Sequence, residues 1–96
     1  MKTLTDIQKT LATHRQLLYE KYPIQSMAIF GSYARKEQND QSDLDLMVEF
    51  SGKIGIRFVD LADEIEKLIG LKVDLVSRKG IKEKYYNAIQ SDLIYV

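Results

Sequence analysis

Cysteine is absent from the 96 residues, which excludes disulfides, a thiolate nucleophile and cysteine-ligated zinc. Histidine occurs once, at His14, so a histidine-rich metal site is excluded as well. Neither charge dominates: 14 Lys/Arg face 14 Asp/Glu, and the formal net charge is zero. A dedicated nucleic-acid binder or a polybasic membrane anchor would carry a basic excess, so neither direct nucleic-acid contact nor membrane attachment is expected. No apolar run approaches the ~18–20 residues that span a bilayer. The opening MKTLTDIQKT lacks the continuous apolar stretch of a secretory signal, and the expectation is a soluble cytoplasmic chain. What is present is an ordinary globular mixture, 45% hydrophobic and 29% charged, of a size for one core. Residues 1–96 are therefore read as one domain.

Periodicity divides the chain into alternating elements. Leu4, Ile7, Leu11, Leu18 and Tyr22 make one apolar helical face, with Thr5 as the expected N-cap and Pro23 as the stop. His14 falls at the gap in that stripe, the place of a half-buried structural histidine. Residues 24–30 (IQSMAIF) read as a buried strand. Gly31 and Ser32 break it, and a short helix is expected over 33–36 with Ser32 as its cap. After the polar loop 38–42, residues 43–50 (DLDLMVEF) alternate strictly: Leu44, Leu46, Val48 and Phe50 on one face, Asp43, Asp45, Met47 and Glu49 on the other. A helix is expected from Ile54 to Ile69 with Gly70 as its left-handed end, then a strand over 72–77, a helix marked by Ile81, Tyr85, Ala88 and Ile89, and a last short strand over 93–96. The order predicts an α/β sandwich, a small sheet flanked by helices.

The candidate chemistry begins at Asp43-Leu44-Asp45. An acidic-x-acidic pair means little by itself, since Glu64 and Glu66 make another on a helix, where the side chains diverge. On a strand, residues two apart share a face with Cα atoms roughly 6.5–7 Å apart, so both carboxylates can converge on a cation. Aspartate is disfavoured in strands, and paired like charges call for compensation, unless the face is simply solvated. Asp74 lies inside the apolar run Val73-Asp74-Leu75-Val76, where solvation explains less. If its strand neighbours residues 43–50, three carboxylates gather on one face. Oxygen-only ligation suits Mg²⁺ or Mn²⁺ and metal-assisted phosphoryl or nucleotidyl transfer. Gly31-Ser32 after a strand allows close backbone approach to phosphate, although such a turn also serves as a plain cap. Arg35, one turn on, can meet phosphate or solvent. No Walker A or GxGxxG sequence is present.

Taken together, Gly31-Ser32, ten further residues and then Asp43-Leu44-Asp45 resemble the signature of polymerase-beta-like nucleotidyltransferases. The string GSYARKEQNDQSDLDLMVEF is similar to the minimal nucleotidyltransferase (MNT) branch, the partners of HEPN toxins, and the similarity runs over nearly the whole chain. Lys36 departs from it, standing where many relatives have glycine. The resemblance implies a mixed sheet flanked by helices. It implies that Asp43, Asp45 and Asp74 hold metal, two Mg²⁺ or alternatively Mn²⁺, with Asp74 helping to activate the incoming hydroxyl. It further implies that Gly31 and Ser32, with Arg35 and Ser42 as additional candidates, bind the nucleotide. The expected activity is transfer of AMP from ATP to a hydroxyl, a tyrosine of a HEPN ribonuclease toxin, since the chain has no room for an acceptor domain of its own. A non-catalytic antitoxin that blocks by binding and a small-molecule nucleotidyltransferase are the alternatives. Assembly into homo- or hetero-oligomers is compatible with either. Tyr85, Tyr86 and Tyr95 are candidate interface anchors, or else Tyr85 and Tyr95 are core residues with only the hydroxyl wet.

Overall fold

The computed structural model describes residues 2–96. Helix α1 (Leu4–Lys21) is capped by Thr3, two residues before the expected cap at Thr5. Thr3, in extended backbone, accepts the Asp6 N–H on its side chain, while the Asp6 carboxylate accepts the Thr3 N–H. Gln8 would have suited a box from Thr5 equally, but the helix begins at Leu4 and Thr5 lies inside the first turn. His14 is half-buried and donates from Nδ1 to the Thr10 carbonyl at 2.9 Å, a structural role. Strand β1 (Ile24–Phe30) follows Pro23 directly.

Helix α2 is a single turn, Gly31–Ala34, and begins at the glycine rather than at Tyr33. Its cap residue is Phe30 with no side-chain bond, so Ser32 is not the cap that the sequence suggested. The turn closes with the Glu37 N–H on the Ser32 carbonyl and the Lys36 N–H on that of Tyr33. This paired closure requires a left-handed residue between, and Lys36 supplies it at φ 59°. The position where the resemblance led to glycine being expected is thus one the fold holds in a glycine-like conformation even with lysine there.

Strand β2 (Leu44–Phe50) leads into a turn around Gly55, which at φ 57° delays helix α3 to Arg57–Ile69 instead of Ile54. Gly70 ends α3 at φ 78°, as its position after the apolar stripe indicated. Glu66 then accepts the Val73 N–H at 2.8 Å and fastens the start of β3 (Val73–Ser77) to α3. Helix α4 (Glu83–Ile89), a 3-10 turn (Gln90–Asp92) and β4 (Ile94–Tyr95) complete the chain.

The sheet is mixed, in the order β3-β2-β1-β4. β1 pairs antiparallel with both β2 and β4, while β2 and β3 are parallel and therefore need the α3 crossover. Leu44, Leu46 and Val48 of β2, with Met27 and Ile29 of β1, point to α1 and α3, where Ile7, Leu11, Leu18, Leu61 and Ile65 close the main core. The opposite face is thinner. Phe30 and Met47 are buried there under Ile89 of α4, with Val76, Ile81 and Leu93 around them. Only part of this second face is roofed, and the part left open carries the carboxylates.

Candidate functional site

The register decides which acids meet. Asp45 pairs across β1/β2 with Phe30 and across β2/β3 with Asp74, so the two aspartates stand side by side on adjacent strands, spaced by roughly 4.8 Å of sheet. Asp43 precedes β2 and is exposed, as is Asp74, whereas Asp45 is half-buried. Among the described residues, no three acidic or imidazole side chains are gathered tightly enough to enclose an ion on their own. The geometry is that of an adjacent pair with a third carboxylate at its entrance.

Asp45 is the strained member. Burial, then the Asp74 carboxylate beside it, then Asp43 push its pKa up to about 6, and Arg35 opposes this only weakly. Its carboxylate rests on Gly31: a Cβ there would overlap Asp45 Oδ2 and lie 3.0 Å from Cγ. Gly31 is also at φ 75°. Two independent constraints, space and backbone hand, thus require glycine at the end of β1. Sequence reasoning attached this glycine to phosphate; the structure adds that it makes room for the central carboxylate.

The remaining candidates occupy the rim. Ser42 is engaged within its loop, where its Oγ accepts the Asn39 N–H at 3.0 Å. Arg35 donates from Nε to Glu37 at 2.9 Å and from Nη1 to Asp92 at 2.7 Å, tying α2 to the 3-10 turn. A phosphate contact from Arg35 would have to exchange those partners. Ser32 is half-exposed beside Gly31. Tyr33 is buried, and its hydroxyl is pushed up by burial and by the charges of Asp40 and Asp43.

One residue at the site was read only as an interface or core candidate. Tyr85 on α4 packs edge-on against Phe30, with ring centroids 6.4 Å apart at 86°. Burial raises its pKa first, and then Asp45 and Asp74 raise it further; the ring it packs on, Phe30, is the cross-strand partner of Asp45. Tyr85 and Tyr95 are 45% and 59% exposed, so neither is a core residue. The signal for Tyr85 lay in the Ile81/Tyr85/Ile89 stripe, but periodicity places it on a face and does not reveal what the face covers. A cleft of about 380 Å³ lies at the far end of β2 and β3, lined by Phe50, Lys53, Ser77 and Lys79 among others. The carboxylates themselves stand on an open ledge.

Comparison with known proteins accords with this arrangement. A candidate protein adenylyltransferase of Methanocaldococcus jannaschii is 47% identical over 98 residues, covering all of both chains. The protein adenylyltransferase MntA of Thermococcus cleftensis is 33% identical over 97 residues, covering 100% of this chain and 98% of the relative. Among solved structures, a candidate minimal nucleotidyltransferase superposes with a TM-score of 0.81 at 28% identity, over 97% of this chain and 95% of that one. A chain from the complex of tri-AMPylated Shewanella oneidensis HEPN toxin with MNT antitoxin matches with a TM-score of 0.70 at 21% identity, over 93% and 70%, and so shares the fold. The nucleotidyltransferase domain family matches residues 11–96, which include the Gly31 turn, the Asp45–Asp74 pair and α4. With so much of the chain matched, and with the glycine and the paired carboxylates in one place, this protein belongs to the nucleotidyltransferase domain family.

Proposed function

We propose that the chain is a divalent-cation-dependent protein adenylyltransferase, which moves AMP from ATP onto a tyrosine hydroxyl of a HEPN-type toxin and thereby acts as its antitoxin. The observation that carries the reading is the Asp45–Asp74 pair in register on parallel strands, with Gly31 beneath it. Support for the partner comes from the relatives named as protein adenylyltransferases and from the AMPylated toxin complex that shares this fold.

The donor set suits a hard cation: Asp45, Asp74 and Asp43 offer oxygen only, and the pKa of Asp45 is raised first by burial and then by like charges that a divalent ion would relieve. Bound there, such ions would offset the negative charge of the triphosphate and stabilise the departing pyrophosphate. Asp45, fixed against Gly31, is the rigid anchor. Asp74, exposed at the outer edge, can reach an incoming hydroxyl and accept its proton. Gly31 lets the backbone approach the triphosphate, with Ser32 alongside. Asp43 adds charge at the entrance. Asp43 and Asp74 are exposed, which fits an acceptor presented by another protein.

The test is the double substitution Asp43→Asn/Asp45→Asn, which keeps side-chain size and the apolar face of β2. Wild type co-expressed with its HEPN partner should add about 329 Da per AMP to the toxin, and the variant should add none and leave cells poisoned. Growth rescued by the variant with toxin of unmodified mass would replace transfer by simple blocking.

A further inference from the structure

One tyrosine on the sheet face of the carboxylate pair belongs to this chain, Tyr85. α4 covers the same sheet face from which Asp45 projects: Phe30, the cross-strand partner of Asp45, is buried under α4, and the Tyr85 ring meets its edge. Asp74 stands next to Asp45 on the far side, in register. The charges of both aspartates act on the Tyr85 hydroxyl. Other tyrosines fail one of the two requirements, proximity or access. Tyr33 lies by Asp43 and is 1% exposed. Tyr86, one position on and about 100° around the helix, holds its ring under the Arg78 guanidinium at 3.6 Å. Tyr95 pairs with Ala28 on the strand beyond Phe30, away from β3. Tyr85 is near and 45% exposed, so a nucleotide on the ledge can be approached by its hydroxyl without unfolding the helix.

We propose that Tyr85 is an acceptor in its own active site, so that the protein adenylylates itself in cis on this tyrosine. The inference rests on the nucleotidyl-transfer reading and extends it to a second substrate. In the step, Tyr85 Oη attacks the α-phosphorus of ATP and the Oη–Pα bond forms. The bond from Pα to the oxygen bridging to the β-phosphorus breaks, pyrophosphate leaves with that oxygen, and the phenolic proton passes to the Asp74 carboxylate and on to water. No oxidant or further reactant is needed. Holding the acceptor on a helix beside the site removes the entropy of bringing in a second molecule, the advantage that intramolecular reactions enjoy. A modified Tyr85 would lay an AMP group across the ledge and close it to the partner, so the reaction would limit the enzyme when the toxin is missing.

The experiment uses the purified protein alone with ATP and Mg²⁺, followed by intact mass and peptide mapping. Wild type should gain about 329 Da on the peptide containing Tyr85, at a first-order rate unchanged by dilution. Tyr85→Phe, which keeps the ring on Phe30, should gain nothing, and Asp74→Asn should gain nothing. Without turnover, a non-hydrolysable ATP analogue should shield Tyr85 from nitration by tetranitromethane. An unmodified wild type, an adduct retained by Tyr85→Phe, a rate constant that rises with protein concentration, or unshielded nitration would each overturn the proposal. If that same wild type adds AMP to co-expressed toxin but not to itself, self-modification falls and the transfer reading stands. If it modifies neither, the transfer reading falls and takes this one with it.

Discussion

A partly covered acid lies on each side of the sheet, Glu64 on α3 and Asp45 on β2, and the two are treated in opposite ways. On the α1/α3 side, Glu64 accepts from Lys21 Nζ at 2.8 Å and from the Tyr22 hydroxyl at 3.0 Å, and these partners, Lys21 foremost, hold its pKa below the ordinary glutamate value. On the α4 side, Asp45 meets Asp74 instead of a cation, and burial and repulsion drive it up to about 6. The first face is closed by two long helices over a continuous apolar core; the second is covered by one short helix and left open at the acids. Stability is concentrated on the one face. The other keeps a charge arrangement that weakens the fold and makes sense with a bound counter-charge.

The sharpest way to break this comparison is to damage the closed face. Leu46, fully buried between β2 and the two helices, should cost ~3–4 kcal/mol as Leu46→Ala, read from urea unfolding, because the packed neighbours cannot collapse into the gap. Its neighbour on the thin face, substituted as Met47→Ala, should cost less, about 2 kcal/mol, because the thinner cover can collapse into the gap. Equal losses would mean that both faces are packed alike.

The acids predict an effect of opposite sign. The folded pKa of Asp45 lies above its unfolded value of 3.8, so the proton favours the folded state. Its stabilising influence is complete below about pH 3.8 and is lost as pH rises through 6. Asp45→Asn should therefore raise stability at pH 7.5, by roughly 1–2 kcal/mol once solvent screening of a half-buried group is allowed for, while removing activity. The gain should shrink toward zero near pH 4. Glu64 runs the other way: its contribution is present above the ordinary glutamate value and disappears on acidification. Melting curves across pH on Asp45→Asn and Glu64→Gln would show the two slopes, and parallel slopes would contradict the assignment of strain to one face.

The smallest effect concerns the turn that leads from the site. Lys36→Gly relieves a left-handed lysine and should stabilise by ~0.5–1 kcal/mol, a rise of a few degrees in Tm. No gain would mean that lysine contacts compensate for the backbone.

Much of this protein is decided locally and was open to sequence reasoning. The stripe Leu4/Ile7/Leu11/Leu18, the alternation of residues 43–50 and the stop at Gly70 place helices and strands within a few residues, since burial of one face follows from period alone. The spacing of Gly31-Ser32 to Asp43-Leu44-Asp45 marked the site. Errors gathered where two local signals compete: Thr5 against Thr3, Ser32 against an uncapped turn, Ile54 against Gly55.

What the sequence could not determine is who faces whom. That Asp74 stands beside Asp45 depends on the parallel register of strands whose paired residues are 29 apart along the chain, which the α3 crossover and the Glu66–Val73 bond set. That Gly31 must be glycine depends on Asp45 lying against it, and that Tyr85 overlooks the pair depends on α4 folding back over Phe30. Periodicity assigns a residue to a face of its own element. Which elements meet, and in what register, is fixed by burying those faces together, so the pKa of Asp45 and the position of the Tyr85 hydroxyl exist only in the folded chain.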